Sequence, residues 1–266
     1  MKLFNLELKR ILKNHYIGFI ALFVISVILI SLYNAIYYNS ENVNILINKV
    51  DSRVLKMLDI NKDKFITLDG YFIFIVKILE IIFSAYAINL GISIASYDKK
   101  TNTRTFLYSK PKKRNQTIIN RIIASSIFLL IEVFIICITS VILFVIFNKS
   151  FNLFIIFLVL LSMYLVLLVF FSLGLVIGGF KGEKTPNMIV SIITTIIFTA
   201  IHILDIFFNI KFLYYLNPFS YFNINEISNG ANFPLSALLA SLFMLVFLIS
   251  FGISIYEANN EKSDKI

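Results

Sequence analysis

Between Ile118 and Gly178 the chain is apolar almost throughout, and Asn148, Lys149 and Ser150 form the one concentrated polar break in it. A hydrocarbon core is roughly 30 Å thick and takes about 20 helical residues to cross. A single helix of that length would far overshoot the bilayer, and irregular backbone cannot be left exposed to lipid. The stretch must therefore be two spans folded into a tight hairpin at 148–150. Composition excludes a water-soluble domain: 59% of the residues are hydrophobic, 15% are charged, and the mean hydropathy is +0.87.

Runs of spanning length recur elsewhere, giving six in all: Tyr16 to Tyr38, Tyr71 to Ser96, Ile118 to Phe147, Phe151 to Gly178, Asn187 to Asn209 and Leu235 to Tyr256. The first follows a basic start like a signal peptide, yet it is as long as a full span and no small-x-small cleavage site closes it, so it reads as an uncleaved span. The net charge of +9 would suggest nucleic acid in a soluble chain; here it marks loops. With the N-terminus inside, sixteen basic residues fall on the inner side and seven on the outer, which sets both termini in the cytoplasm. There is no Trp, so Tyr16, Tyr33, Tyr37, Tyr38, Tyr71, Tyr97 and Tyr256 near the span ends are expected to furnish the interfacial belt. The single Cys137 permits no intramolecular disulfide.

The fold expected is an all-α integral membrane protein, a single transmembrane domain over residues 1–266. Lys2 to Asn14 place Leu3, Phe4, Leu6, Ile11 and Leu12 mainly opposite Lys2, Lys9, Arg10 and Lys13, which predicts an amphipathic interfacial helix before the chain turns upward. In the outer loop Asn39 to Gly70, apolar residues at helical spacing predict one helix. Lys211 to Phe233 is broken by Asn217-Pro218, Asn223 and Asn229-Gly230, which predicts two short helical pieces dipping into the outer leaflet against protein.

Chemistry is sparse. Gly178 to Thr185 lacks the phosphate-binding pattern because Glu183 separates Gly182 from Lys184, so ATP hydrolysis is not expected of this chain. His202 and Asp205 share a helix face, with too few companions for a metal set. No catalytic, cofactor-binding or metal-binding residue is assigned. Lys77, Glu80 and Glu132 are different, because ionisable groups inside spans cost several kcal/mol unless paired or hydrated. Lys77 and Glu80, three apart, can meet on one helix. Glu132 sits near mid-span and must face protein or water. The three either form a structural polar cluster or line a substrate path.

The segment Asp98 to Arg114 is strongly basic yet carries Phe106 and Leu107 side by side, with Ser109-Lys110-Pro111 after them. Apolar side chains on a charged loop suggest a docking element. The stretch resembles the inner loop between the second and third spans of ABC-2-type transporter permeases: an acidic residue, a Gly-Thr, an apolar cluster, Ser-x-Pro and a basic residue. Asp98, Thr103, Phe106, Leu107, Ser109, Pro111 and Arg114 occupy those places. Asn102 stands where the family usually has Gly, and Asp98 where Glu is more usual; Asn tolerates the same left-handed backbone.

The resemblance implies that this loop couples to a separate ATP-binding subunit, which carries ATP and Mg. It also implies that two permease chains, identical or different, pair in the lipid bilayer around a translocation path. The function implied is export across a cell membrane, here the bacterial plasma membrane, of an amphipathic peptide, drug or lipid-like solute, with no nucleic acid involved. The alternative is a gradient-driven transporter or membrane scaffold in which Lys77, Glu80 and Glu132 do the work.

Overall fold

Six helices long and apolar enough to cross a membrane are present in the computed structural model: Phe4–Tyr38, Leu68–Ala95, Gln116–Ile146, Leu153–Phe180, Asn187–Phe208 and Leu235–Ala258. The structure describes residues 2–57, 60, 62, 65–100, 114–147, 151–180, 185–208, 211–224, 226–227 and 233–263. In chain order the helices are α1 (Lys2–Ser31), α2 (Tyr33–Tyr38), α3 (Ser40–Lys49), α4 (Ser52–Met57), α5 (Leu68–Ala95), α6 (Tyr97–Lys100), α7 (Arg114–Ile146), α8 (Leu153–Phe180), α9 (Asn187–Phe208), α10 (Lys211–Leu216) and α11 (Leu235–Ser263). A 3-10 turn at Pro218–Ser220 lies between α10 and α11, and the described residues contain no strand.

Two sequence expectations change. The chain does not turn between the amphipathic start and the first span: α1 is one uninterrupted helix, continued by α2 through Leu32, whose backbone stays helical at φ −63° and ψ −13°. The outer segment expected to hold one helix holds two, α3 and α4, with Val50 in extended backbone between them. The expected hairpin residues 148–150 lie outside the described residues, but Phe144 of α7 and Phe151 beside α8 bring their rings to 5.8 Å across it.

α5 is the central helix. Thr67 caps its start by accepting from the Gly70 N–H at 3.3 Å, and most of its length is buried. Its tightest neighbour is α8, because glycines let the two backbones touch. A Cβ at Gly91 would lie 2.2 Å from the Phe171 carbonyl oxygen, and one at Gly174 would lie 2.3 Å from that of Ile88. Gly178 meets the Ile92 backbone in the same way, at 2.8 Å. α11 packs on the other side of α8, and α1 packs chiefly on α7.

Apolar and polar residues are arranged as lipid requires. On α9, Ser191, Thr195 and His202 are buried while Met188, Ile189, Ile192, Ile193, Ile196 and Ile197 are exposed. In water this helix would be inside out; among acyl chains it is correctly oriented, and Ser191 and Thr195 donate to carbonyls of their own helix. Tyr33 and Tyr71, expected in the interfacial belt, are instead buried cross-braces. Tyr71 donates to the Leu29 carbonyl at 2.6 Å and Tyr33 to that of Ile66 at 3.3 Å, their rings 5.5 Å apart.

The α5–α8 contact gives a direct test. Gly174→Ala should lower stability by about 1–3 kcal/mol, because the new methyl meets backbone that cannot swing aside. Gly252→Ala, whose nearest neighbour is the Leu175 side chain at 3.2 Å, should cost less. Denaturation in detergent micelles measures both, and equal effects would contradict the packing described.

Candidate functional site

At the end of the bundle that carries both termini, four elements converge on one buried cation. Arg121, in the first turns of α7, is 2% exposed. Its Nη1 and Nη2 donate to Asp98 Oδ2 and Oδ1 at 2.7 and 2.8 Å, and its Nε donates to Glu7 Oε1 at 3.1 Å. The planar guanidinium fork matches a carboxylate two-pronged and still has Nε for a second acid, which no lysine can do. Glu7 also pairs with Arg10 one turn along α1. The Tyr256 hydroxyl, on α11, donates to Asp98 Oδ2. Beneath these groups lies the Tyr97 ring, its centroid 3.8 Å from the Arg10 guanidinium carbon and 5.1 Å from that of Arg121.

The node thus ties α1, α6, α7 and α11 together through two acids, two arginines and two tyrosines. Burial alone would push the Asp98 carboxyl up, but the paired Arg121 bond, with the Tyr256 hydroxyl and Arg10 in support, holds it below its ordinary value. Asp98 is therefore a carboxylate at neutral pH. Only 1% of it is exposed: at the root of the loop its carboxylate is turned into the bundle. Thr103, Phe106, Leu107, Ser109 and Pro111 lie outside the described residues; Arg114 opens α7, and its side chain also lies outside them.

Sequence reasoning missed Arg121 and Glu7 as site residues and read Tyr97 and Tyr256 only as parts of an interfacial belt. One signal was available: Arg121 stands inside the predicted third span, where an ionisable group demands a partner.

A second polar group lies toward the opposite end. Lys77 and Glu80, both buried on α5, meet at 3.3 Å, and Lys77 Nζ donates to the Phe219 carbonyl at 2.9 Å. Asn217 is fully buried; its amide donates to the Phe198 carbonyl on α9 at 3.2 Å, and its Oδ1 accepts from the Phe219 N–H at 3.1 Å. His202 and Asp205 converge on Ser220, at 3.0 and 3.1 Å. The hydroxyl has a single proton and gives it to Asp205, so the His202 contact needs Nδ1–H as donor. Together these bonds seat the broken segment 217–220 against α5 and α9, with Phe219 packed on Phe170 at 4.6 Å between ring centroids. Glu132 joins neither group: it is buried on α7, and neither carboxyl oxygen has a hydrogen-bond partner among the described residues.

Removing Arg121 should leave the buried Asp98 carboxylate without its main partner and Glu7 with Arg10 alone. Arg121→Gln is expected to cost about 3–5 kcal/mol, with Arg121→Lys only partly compensating. The pH dependence has a definite sign. Because the Asp98 carboxyl is lowered in the folded protein, its contribution is present above the unfolded value of about 3.8 and is lost as pH falls through the folded value. Thermal unfolding in detergent should find wild type more stable than Asp98→Asn at neutral pH, with the gap closing on strong acidification. A gap that is independent of pH would contradict the ion pair.

Comparison with the curated proteins gives no match. Residues 1–260 match the family model described as ABC-2 family transporter protein, and the chain therefore belongs to that family as a multi-pass membrane permease subunit of an ABC transporter.

Proposed function

We propose that this chain is the transmembrane subunit of an exporter, and that an ATP-binding subunit drives it by docking on the loop 98–114 and moving the spans through Arg121. The reading is supported above all by the two-pronged bond between Arg121 and Asp98. Asp98 stands at the root of that loop, and the same carboxylate accepts from Tyr256 of α11. A push on the loop is therefore a push on a buried charge, and several spans must follow or the ion pairs must break. Breaking them costs several kcal/mol, so following is the cheaper response.

The remaining parts fit the same reading. Both termini and the loop lie on the cytoplasmic side, in agreement with the basic excess of that side. Phe106 and Leu107 enter a groove of the ATP-binding subunit, which carries ATP and Mg. This chain hydrolyses no ATP itself, since its sequence has no glycine-lysine phosphate cradle. Two permease chains pair in the bacterial plasma membrane. The cargo in this reading is an amphipathic peptide, drug or lipid-like solute.

Exchanging both Phe106 and Leu107 for Asp would force charge into an apolar groove, at a cost of about 1–3 kcal/mol or more per site. The double variant should insert normally and lose the ATP-binding subunit on co-purification from membranes. Undiminished co-purification would overturn the docking role.

A further inference from the structure

Glu132 is one carboxyl in the molecule that no described bond uses. It lies on α7, 3% exposed, and it borders a small cavity whose other walls are Phe19 and Phe23 of α1, Phe83 of α5, and Ile135 and Ile136 of α7. The cavity has room for about one water molecule. Its aromatic wall extends through Phe128, whose ring centroid is 5.8 Å from that of Phe19.

Every hydroxyl near this seam is committed elsewhere. Ser26 donates to the Phe23 carbonyl, Ser84 to Ile81 and Ser140 to Ile136, each on its own helix. Tyr86, beside Phe128, donates to the His15 carbonyl at 3.2 Å. The other buried charged groups of the packed helices are equally occupied. On α5, Lys77 is held by Glu80 and the Phe219 carbonyl. On α7, Arg121 is held by Asp98 and Glu7, and Cys137 is the other titratable side chain described within that span. On α1, the His15 ring meets Ser93. α8 offers only Tyr164, which donates to the Ser126 carbonyl.

A carboxylate with no donor and no cation among the described residues, walled by phenyl rings and an isoleucine pair inside a membrane, has at most the one water its cavity can hold to replace its lost hydration. We propose that Glu132 is an intramembrane proton-binding site, neutral while the seam between α1 and α7 is closed and able to release its proton only when that seam admits water. The ligand is the proton itself. The closed seam then binds one proton more than an open one, so acidic conditions favour closure and alkaline conditions favour opening. The inference rests on the packing of α1, α5 and α7 and does not depend on the identity of the cargo or on where the ATP-binding subunit docks.

The test uses the full chain in detergent micelles and the apolar reagent dicyclohexylcarbodiimide. A protonated carboxyl gives its proton to a carbodiimide nitrogen while its oxygen bonds the central carbon, and acyl migration to nitrogen leaves a stable N-acylurea. Mass spectrometry should find this adduct on Glu132 at neutral pH, falling as the pH is raised, lost in Glu132→Gln and kept in Glu80→Gln. The infrared difference between wild type and Glu132→Gln should contain the C=O stretch of a protonated acid at neutral pH. That band without labelling still supports the site, with the reagent kept out. Carboxylate bands in its place would overturn the proposal whatever the labelling shows. Should Glu132→Gln not fold, titration of the acid band in Glu80→Gln gives the same readout: persistence at neutral pH supports the site, and absence overturns it.

Discussion

The arrangement at the terminus-bearing end depends on one buried guanidinium. Arg121 sits 2% exposed at the start of a membrane span, where an unpaired cation would be untenable. Its neighbours follow from that. Asp98 must approach in the plane of the fork, Glu7 must reach the remaining Nε, and the Tyr256 hydroxyl and Tyr97 ring complete the shell. A buried ion-pair cluster of this kind is weak evidence for stability, since apolar residues of equal volume often serve as well. What it supplies is geometry: the guanidinium accepts its partners in few arrangements, so the helices carrying them are fixed relative to one another.

The middle and the opposite end are held by different means. Between α5 and α8 the contact is backbone on backbone, made possible by Gly91, Gly174 and Gly178. Toward the other end, Lys77, Asn217 and the His202–Ser220–Asp205 chain replace ladder hydrogen bonds that the broken segment cannot make for itself. The seam between α1 and α7 is held differently again. Around Glu132 its contacts are mostly phenyl and aliphatic, and among the described residues the direct polar tie between those two helices is Arg121 with Glu7. A seam fastened by charge at one end and by dispersion elsewhere is suited to open from the unfastened part.

How much of this was legible in sequence follows from the range of each interaction. The six spans were readable because lipid imposes a length and a composition on every segment that crosses it. Lys77 and Glu80 were readable as a pair because three residues of helix bring them to one face. Arg121 and Glu7 are 114 residues apart and carry no spacing signal, so Arg121 was counted only as a charge that orients the chain. The same gap hides what the N-terminal helix does within the bundle: Glu7 points at Arg121, and the helix runs on without a turn into the first span. Tyr97 and Tyr256 were expected in an interfacial belt; their partners are Arg10 and Asp98, which no spacing in the sequence announces. Glu132 was legible as a group that cannot reach the interface; that it has no described partner was not.

In the mechanism proposed above, Asp98 transmits motion from the loop to the spans through its bond with Arg121. Hydrogen–deuterium exchange in α1 and α11, compared between the nucleotide-free and nucleotide-trapped complex of the permease with its ATP-binding subunit, tests this most directly when wild type and Asp98→Asn are run side by side. Asp98→Asn is expected to keep the subunit bound while the nucleotide-dependent change in α1 and α11 disappears. Loss of the subunit from Asp98→Asn, or an unchanged response in both helices, would contradict it.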